Sequence, residues 1–384
     1  MIRLLLQNAQ LITQGWERGW ILIEDGRIAR LGEGNAPAFD GAEVLDCGGK
    51  TALPGFIDLH VHGAVGRDTM DATPQAVHDM AHFYATHGVT AFLATTMTAP
   101  DDATRRALEN AAGCVGPMAD GAALLGVHLE GPYLNVKMKG AQDGQYIRRA
   151  DPAVYRDWLN IGVIRQITVA PEFPENQAFI RDCVARGINV SLGHTAATYE
   201  DVQQAVSLGA RQATHTFNAM TGVHHRSPGT AGAVLSMDEI TCELIADTIH
   251  VHPAILKLVV RAKGTDRVVL ITDAIMGAGM PDGQYELGGQ AVTVANHTAT
   301  LADGTLAGSV LTMDRALRNV LTATGLSLAE AWPMTSANAA RQIGVEDRKG
   351  RLVAGYDADI VLLDAQNNVT LTIAQGRVLY RASS

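Results

Sequence analysis

Short apolar segments alternate with amphipathic ones along most of the chain. The apolar runs fall at 55–62, 89–96, 124–131, 164–170, 189–193, 213–216, 243–247 and 268–273, eight in number. Between them lie segments with helix-start signals: Thr73-Pro74 before 75–87, Pro100-Asp101 before 102–112, Asp151-Pro152, Thr198 before 199–208, and Pro253 opening 253–263. Regular alternation of the two kinds predicts βα units around a parallel sheet. Eight units favour a closed (β/α)8 TIM-type barrel over an open doubly wound sheet. The chain ends read differently. Runs at 3–7, 19–24 and 27–31, the last two joined by Asp25-Gly26, carry a hairpin signal, and strand signals return over 350–384 in Ala358-Asp-Ile-Val-Leu-Leu-Asp364 and Gln375-Gly-Arg377. The predicted fold is α/β: a barrel over 54–343 beside a small β-sandwich domain formed by 1–53 together with 344–384.

Composition sharpens this picture. At 384 residues, 47% apolar and 18% charged, the chain can bury a core without disulfide or metal staples, which excludes disorder and coiled coil. A net charge of −10 (30 basic against 40 acidic residues) with no run of like charge argues against nucleic acid and against an anionic membrane as partners. Cys47, Cys114, Cys183 and Cys242 are scattered, with no Cys-x-x-Cys, and read as free thiols in a reducing compartment. The apolar run at Met1–Asn8 is too short for a signal peptide, and no uncharged apolar stretch of about 18 residues occurs, so the expected location is cytoplasmic.

In a barrel of this kind the active site forms at the C-terminal ends of the strands. Six of the 13 histidines fall there: His60, His62, His128, His194, His215 and His250. His60 and His62, two apart on a strand, share a face and can hold one metal from the same side. Glu130, His194 and His215 supply the carboxylate and two imidazoles of a catalytic metal site, and with His60, His62 and Asp273 there are enough ligands for two divalent ions bridged by Glu130. His128 shares the strand face of Glu130 and reads as a supporting or core histidine. Asp273 closes the last apolar segment and reads as a catalytic base, although an Asp there also suits a helix cap. Such a ligand set accepts Zn, Fe, Mn or Co, one or two ions per subunit. His224-His225-Arg226 is a compact cationic loop near His250, and an Arg-plus-His pair suits a phosphate. His78-Asp-Met-Ala-His82 imitates a zinc-protease spacing but lacks the Glu, and reads as a solvated helical face. Gly277-Ala-Gly279 reads as a flexible lid or a turn.

These residues resemble the amidohydrolase superfamily and, within it, the N-acetylglucosamine-6-phosphate deacetylase family. The broader likeness rests on Leu53-Pro-Gly-Phe-Ile-Asp-Leu-His-Val-His62 and Ala354-Gly-Tyr-Asp-Ala-Asp-Ile-Val-Leu362. The narrower one rests on His128-Leu-Glu-Gly-Pro-Tyr133, Lys139-Gly-Ala-Gln142, Ser191-Leu-Gly-His-Thr195, Thr214-His-Thr-Phe-Asn-Ala-Met220, His225-Arg-Ser-Pro-Gly229, Ile245-Ala-Asp-Thr-Ile-His250, Ile271-Thr-Asp-Ala274 and Gly304-Thr-Leu-Ala-Gly-Ser309. The resemblance implies hydrolysis of the acetamide of an N-acetylhexosamine 6-phosphate, a small-molecule substrate. It implies metal ligation by Glu130, His194 and His215, with Asp273 transferring the proton. Substrate contacts are implied at Ala141, Gln142, Asn218, Ala219, Arg226, Asp247, Thr248, Ile249, His250, Leu306, Ala307 and Gly308. It further implies a homodimer, with part of the phosphate clamp crossing the interface. Some members replace His60 and His62 and run on one metal; this chain keeps both and looks like the two-metal branch. It departs from some relatives in having Gln142 for His and Thr248 for Gly. Segment 164–170 lacks the Lys that bridges metals in hydantoinases, which argues for Glu130 as the bridge.

Overall fold

The computed structural model describes residues 3–383; Met1, Ile2 and Ser384, the outermost positions of the expected small domain, lie outside the described residues. Eight parallel strands follow one another in spatial order: β1 (Phe56–Val61), β2 (Val89–Thr96), β3 (Ala123–Glu130), β4 (Ile164–Val169), β5 (Asn189–Leu192), β6 (Gln212–Ala213), β7 (Thr241–Ile245) and β8 (Val268–Ile271). Each is followed by a helix, α1 (Pro74–Thr86), α2 (Asp101–Cys114), α3 (Pro152–Asn160), α4 (Pro174–Val184), α5 (Tyr199–Ser207), α6 (Gly229–Ser236), α7 (Pro253–Lys263) and α8 (Met313–Thr324). The fold is the TIM-type barrel.

Local chemistry starts these helices. The Thr73 hydroxyl accepts the Ala76 N–H before α1, the Asp151 carboxylate accepts the Ala153 N–H before α3, and Thr198 with Asp201 forms a capping box at α5. One continuous apolar core, with Phe56, Phe92, Leu244 and Trp158 among its members, joins the barrel to its helices. Strands β1 and β8 close the ring at its upper end: the Asp273 N–H donates to the His60 carbonyl at 2.8 Å and the His62 N–H to the Ala274 carbonyl at 2.9 Å. Lower down, the buried Asp58 carboxylate accepts the Thr272 hydroxyl at 2.6 Å. Burial pushes the Asp58 carboxyl up to about 7, with the Thr272 hydrogen bond opposing the shift.

Two expectations need correction. The sixth apolar segment is a strand over two residues only, because His215, Phe217 and Ala219 take φ of +28°, +80° and +50° and turn the chain away from the ladder. Between β8 and α8 the chain inserts a three-stranded antiparallel meander, Gly283–Leu287, Gln290–Ala295 and Thr298–Thr300. Its alternating Gln-Tyr-Glu-Leu pattern and Gly288-Gly289 turn are the signals that could have found it. Gly277 and Gly279 form a turn packed against Val294 and Phe83, where an added methyl group would collide with either neighbour, so this segment is no lid.

The chain ends build eight strands, joined into one continuous sheet through the Gln10–Thr51 pairing, around a second apolar core containing Leu6, Ile21, Ile28, Ile360, Leu362 and Ile373. Strand Thr51–Pro54 pairs antiparallel with Ile360–Leu363 immediately before β1 begins, and the Gly55 N–H donates to the Asp359 carbonyl. Lys349 anchors this junction. Its ammonium, 1% exposed, lies 2.6 Å from Asp359 and 3.0 Å from Asp357. Removing the cation strands two buried carboxylates, so Lys349→Met is expected to cost about 3–5 kcal/mol, read as a lower urea midpoint at unchanged m-value.

Candidate metal centre

Two trios of buried donor atoms meet at the C-terminal mouth of the barrel. In the first, His60 Nε2 and His62 Nε2 are 3.4 Å apart and lie 3.4 and 3.2 Å from Asp273 Oδ1. In the second, Glu130 Oε1 lies 3.2 Å from both His194 Nε2 and His215 Nε2, which are 3.1 Å from each other. Glu130 joins them, with Oε1 3.5 Å from His60 Nε2 and Oε2 3.3 Å from His62 Nε2. Strand β1 delivers His60, and His62 one residue past its end, from one face because alternate residues of an extended chain point the same way. His194, His215 and Asp273 come from the turns just past β5, β6 and β8, at φ of +50°, +28° and +49°. Such left-handed conformations cost on the order of 1–3 kcal/mol each and are held only by a surrounding structure that dictates them.

Each trio can hold a metal ion. Donors about 2.1 Å from a tetrahedral ion are separated by about 3.4 Å, which is the spacing found in both trios. The tautomers agree. His194 Nδ1 lies 2.9 Å from the Met138 carbonyl and His60 Nδ1 3.2 Å from Glu243 Oε2, so the neutral form of each keeps its proton there and presents a bare Nε2 to a metal in its trio. Lone pairs this close repel unless a cation stands among them. Burial pushes His60 and His62 down, but the Asp273 and Glu130 carboxylates outweigh it, raising His60 well above the ordinary imidazole value and His62 to about 9. The cluster thus draws positive charge.

Beneath it lies a network that the strand-end reading missed. Glu243, fully buried on β7, accepts from Gln166 Nε2 at 2.7 Å, from Gln212 Nε2, from His60 Nδ1, and from the His215 N–H at 3.3 Å. An acidic residue inside an otherwise apolar strand, with glutamines at matching positions of β4 and β6, was the available signal. His128 stands beside His60 with ring centroids 4.5 Å apart and donates or accepts at Thr168 Oγ1 over 2.7 Å; burial, then the His60 charge, holds it well below the ordinary imidazole value.

A cavity opens above the trios. It is lined by the expected Ala141, Gln142, Asn218, Ala219, His250, Leu306 and Gly308, and also by Met97, Gly140, Leu287 and Thr305, which sequence reasoning left out. Gln142 points its amide at the cluster: Nε2 donates to Glu130 Oε2 at 2.7 Å while Oε1 accepts the Thr98 N–H at 2.8 Å. At the rim, Asp247 Oδ2 lies 2.6 Å from His250 Nδ1 and fixes the ring. Burial pushes the Asp247 carboxyl up, and the His250 hydrogen bond and charge more than reverse this, leaving it low. Asp247, Thr248, Ile249 and Ala307 do not line the cavity; Ala307 is fully buried and Ile249 faces outward. Neither does Arg226 reach it. Its guanidinium lies 2.9 Å from His225 Nε2 on the exposed loop 221–228. His78 and His82 are exposed beside Asp120, and the four cysteines are free, with burial pushing Cys47 up to about 12 and Cys242 up to about 11.

Known proteins resemble this chain along nearly its whole length. The chain is 42% identical over 381 residues to N-acetylglucosamine-6-phosphate deacetylase of Lysinibacillus sphaericus, covering 98% of each. It is 37% identical to N-acetylgalactosamine-6-phosphate deacetylase of Escherichia coli O157:H7 over 377 residues, 97% of this chain and 98% of the other. The structure superposes with a TM-score of 0.92 and 33% identity on a mutant N-acetyl-D-glucosamine-6-phosphate deacetylase from Mycobacterium smegmatis in complex with N-acetyl-D-glucosamine-6-phosphate, covering 99% of this chain and 100% of that one. The family model for amidohydrolases matches residues 51–379, from the last strand before the barrel to the final strand of the sandwich, and on that match this chain belongs to the amidohydrolase family.

Proposed function

We propose that this chain is a metal-dependent hydrolase that removes the acetyl group from N-acetyl-D-glucosamine 6-phosphate, releasing acetate and D-glucosamine 6-phosphate. The observation that carries the reading is the meeting of two donor trios at Glu130 and Asp273, at the foot of a cavity with His250 on its rim, in a chain so similar over its whole length to deacetylases of that name. His60, His62 and Asp273 would hold one divalent ion and Glu130, His194 and His215 another. Ions bound there supply Lewis acidity, lowering the pKa of water from about 15.7 toward about 7 and polarising an acyl oxygen.

The chain's own residues do the rest. Asp273 takes the proton of the attacking water at its carboxylate and returns it to the leaving nitrogen. Gln142 holds Glu130 by one oxygen, and Glu243 holds His60 in the tautomer that frees Nε2. Asp247 fixes His250 through Nδ1 and leaves Nε2 for an anionic group, the phosphate. Homodimer assembly and a cytoplasmic setting belong to this reading. In such a dimer the exposed loop of Arg226 would carry that guanidinium into the clamp across the interface. N-acetylgalactosamine 6-phosphate is the second reading, supported by the Escherichia coli relative.

Acetate release from the two N-acetylhexosamine 6-phosphates and from unphosphorylated N-acetylglucosamine, with elemental analysis of the protein, tests the assignment; no release from either phosphate ends it. Asp273→Asn is expected to keep at least one bound ion and lose about 10²–10⁴-fold in kcat, and near-normal turnover would remove Asp273 from the proton transfer. Glu243→Gln is expected to weaken metal binding about 10–100-fold in equilibrium dialysis of the metal-stripped protein. His250→Ala and Arg226→Ala are expected to lower kcat/KM for the phosphorylated sugar while sparing the unphosphorylated one; equal losses on both would exclude a phosphate clamp.

A further inference from the structure

A second cavity lies beside the first. The active-site cavity is lined by Gln142 and Leu287, and their immediate chain neighbours Asp143 and Gly288 line the other. Among the described residues, Met97 is the one side chain that lines both. The partition is therefore thin, and Met97, only 2% exposed, fills its middle. Its position is held from two sides. Its Sδ lies 3.7 Å from Gln142 Nε2, whose other partner is Glu130 Oε2 at 2.7 Å, which places the thioether two contacts from the carboxylate that joins the donor trios. On the far side is Gly288, at φ +56°, where even an added methyl group would stand 3.2 Å from Met97 Cε.

On the deacetylase reading, on which this inference rests, the acyl carbon reacts at the trios and its two substituents leave in different directions. Asn218, Ala219 and His250 come from the turns after β6 and β7 and include the rim histidine suited to a phosphate. Met97 follows β2, across the barrel from β6 and β7 in the strand order. On that reading the amine-linked sugar phosphate takes the β6–β7 side, and the alkyl end of the acyl group faces Met97.

We propose that Met97 sets the acyl-chain length this enzyme accepts. It closes the cavity behind an acetyl methyl and shuts off a neighbouring space suited to a longer chain. That space combines apolar surface from Met70, Ala99 and Met276 with the carboxylates of Asp68, Asp143 and Glu286. The Asp68 Oδ2 and Thr98 Oγ1 atoms have no protein partner. Neutral alkyl or hydroxyacyl extensions fit such walls, whereas a dicarboxylic acyl group meets like charge. Water adds its hydroxyl to the acyl carbon and a proton to the nitrogen whatever the chain length, so only the fit changes.

The test is kcat/KM of the metal-loaded enzyme on N-acetyl-, N-propionyl-, N-butyryl- and N-succinyl-D-glucosamine 6-phosphate. A methylene misfit in a closed pocket costs about 10–200-fold, so the wild type is expected to fall at least about ten-fold from acetyl to butyryl. Met97→Ala is expected to raise the butyryl-to-acetyl ratio at least about ten-fold while leaving succinyl poor, and Met97→Phe to lower the propionyl-to-acetyl ratio. Should M97A not fold, Met97→Val, which shortens the side chain but keeps it apolar, is expected to shift the ratio in the same direction. An unchanged ratio in the folded variants, or wild-type activity on butyryl equal to that on acetyl, overturns the role of Met97. Absence of acetate release by the wild type overturns the deacetylase reading itself and this inference with it, whereas normal acetate release with an unchanged ratio removes Met97 alone.

Discussion

Glu130 stands where both donor trios meet, and the barrel mouth is arranged around the demands of its carboxylate. One oxygen lies 3.2 Å from the His194 and His215 nitrogens and the other 3.3 Å from that of His62. Buried together, this carboxylate and that of Asp273 would repel each other without positive charge between them; the charge of His60 and His62 and the hydrogen bonds of His194 and His215 answer that demand in the protein alone. Burial pushes Glu130 up, and the surrounding histidines reverse it to leave the group well below the ordinary carboxylate range. A pair of divalent ions answers it more strongly, which is why the same geometry reads as a metal centre.

Holding those groups in place is costly, and the cost is spread over the fold. Three donors sit in left-handed backbone, Asp58 is buried beneath them, and Glu243 brings a further carboxylate into the floor of the barrel. The parallel ladder and the continuous core beneath supply the rigidity that such a site needs. The sandwich contributes from outside, where Lys349 ties its strands to the start of β1 and hence to His60 and His62.

Much of the fold was legible because its signals are local. Apolar runs such as 55–62 and 268–273 became β1 and β8, and Thr73, Asp151 and Thr198 cap the helices they announce. The meander at Gly283–Thr300 escaped notice because its short alternating strands lie within a stretch of βα rhythm. In the site, histidines and acids at the ends of apolar segments stood out. Glu243 did not, since it sits within a strand, and neither did Met97 or Leu287, whose chemistry is that of any core residue.

The sequence by itself determined the kind of chemistry available, because imidazole and carboxylate donors recur at the ends of strands whose order is set by short-range pattern. Only the tertiary structure decided which of them converge. Closure of β8 onto β1 brings Asp273 within 3.4 Å of His60, more than two hundred positions away in the chain, and no periodicity encodes a distance of that kind. It also decided that Arg226 stands outside the cavity of this chain while Met97 divides it from its neighbour. Both outcomes follow from how separate loops pack over the barrel mouth, and packing is a property of residues far apart in sequence.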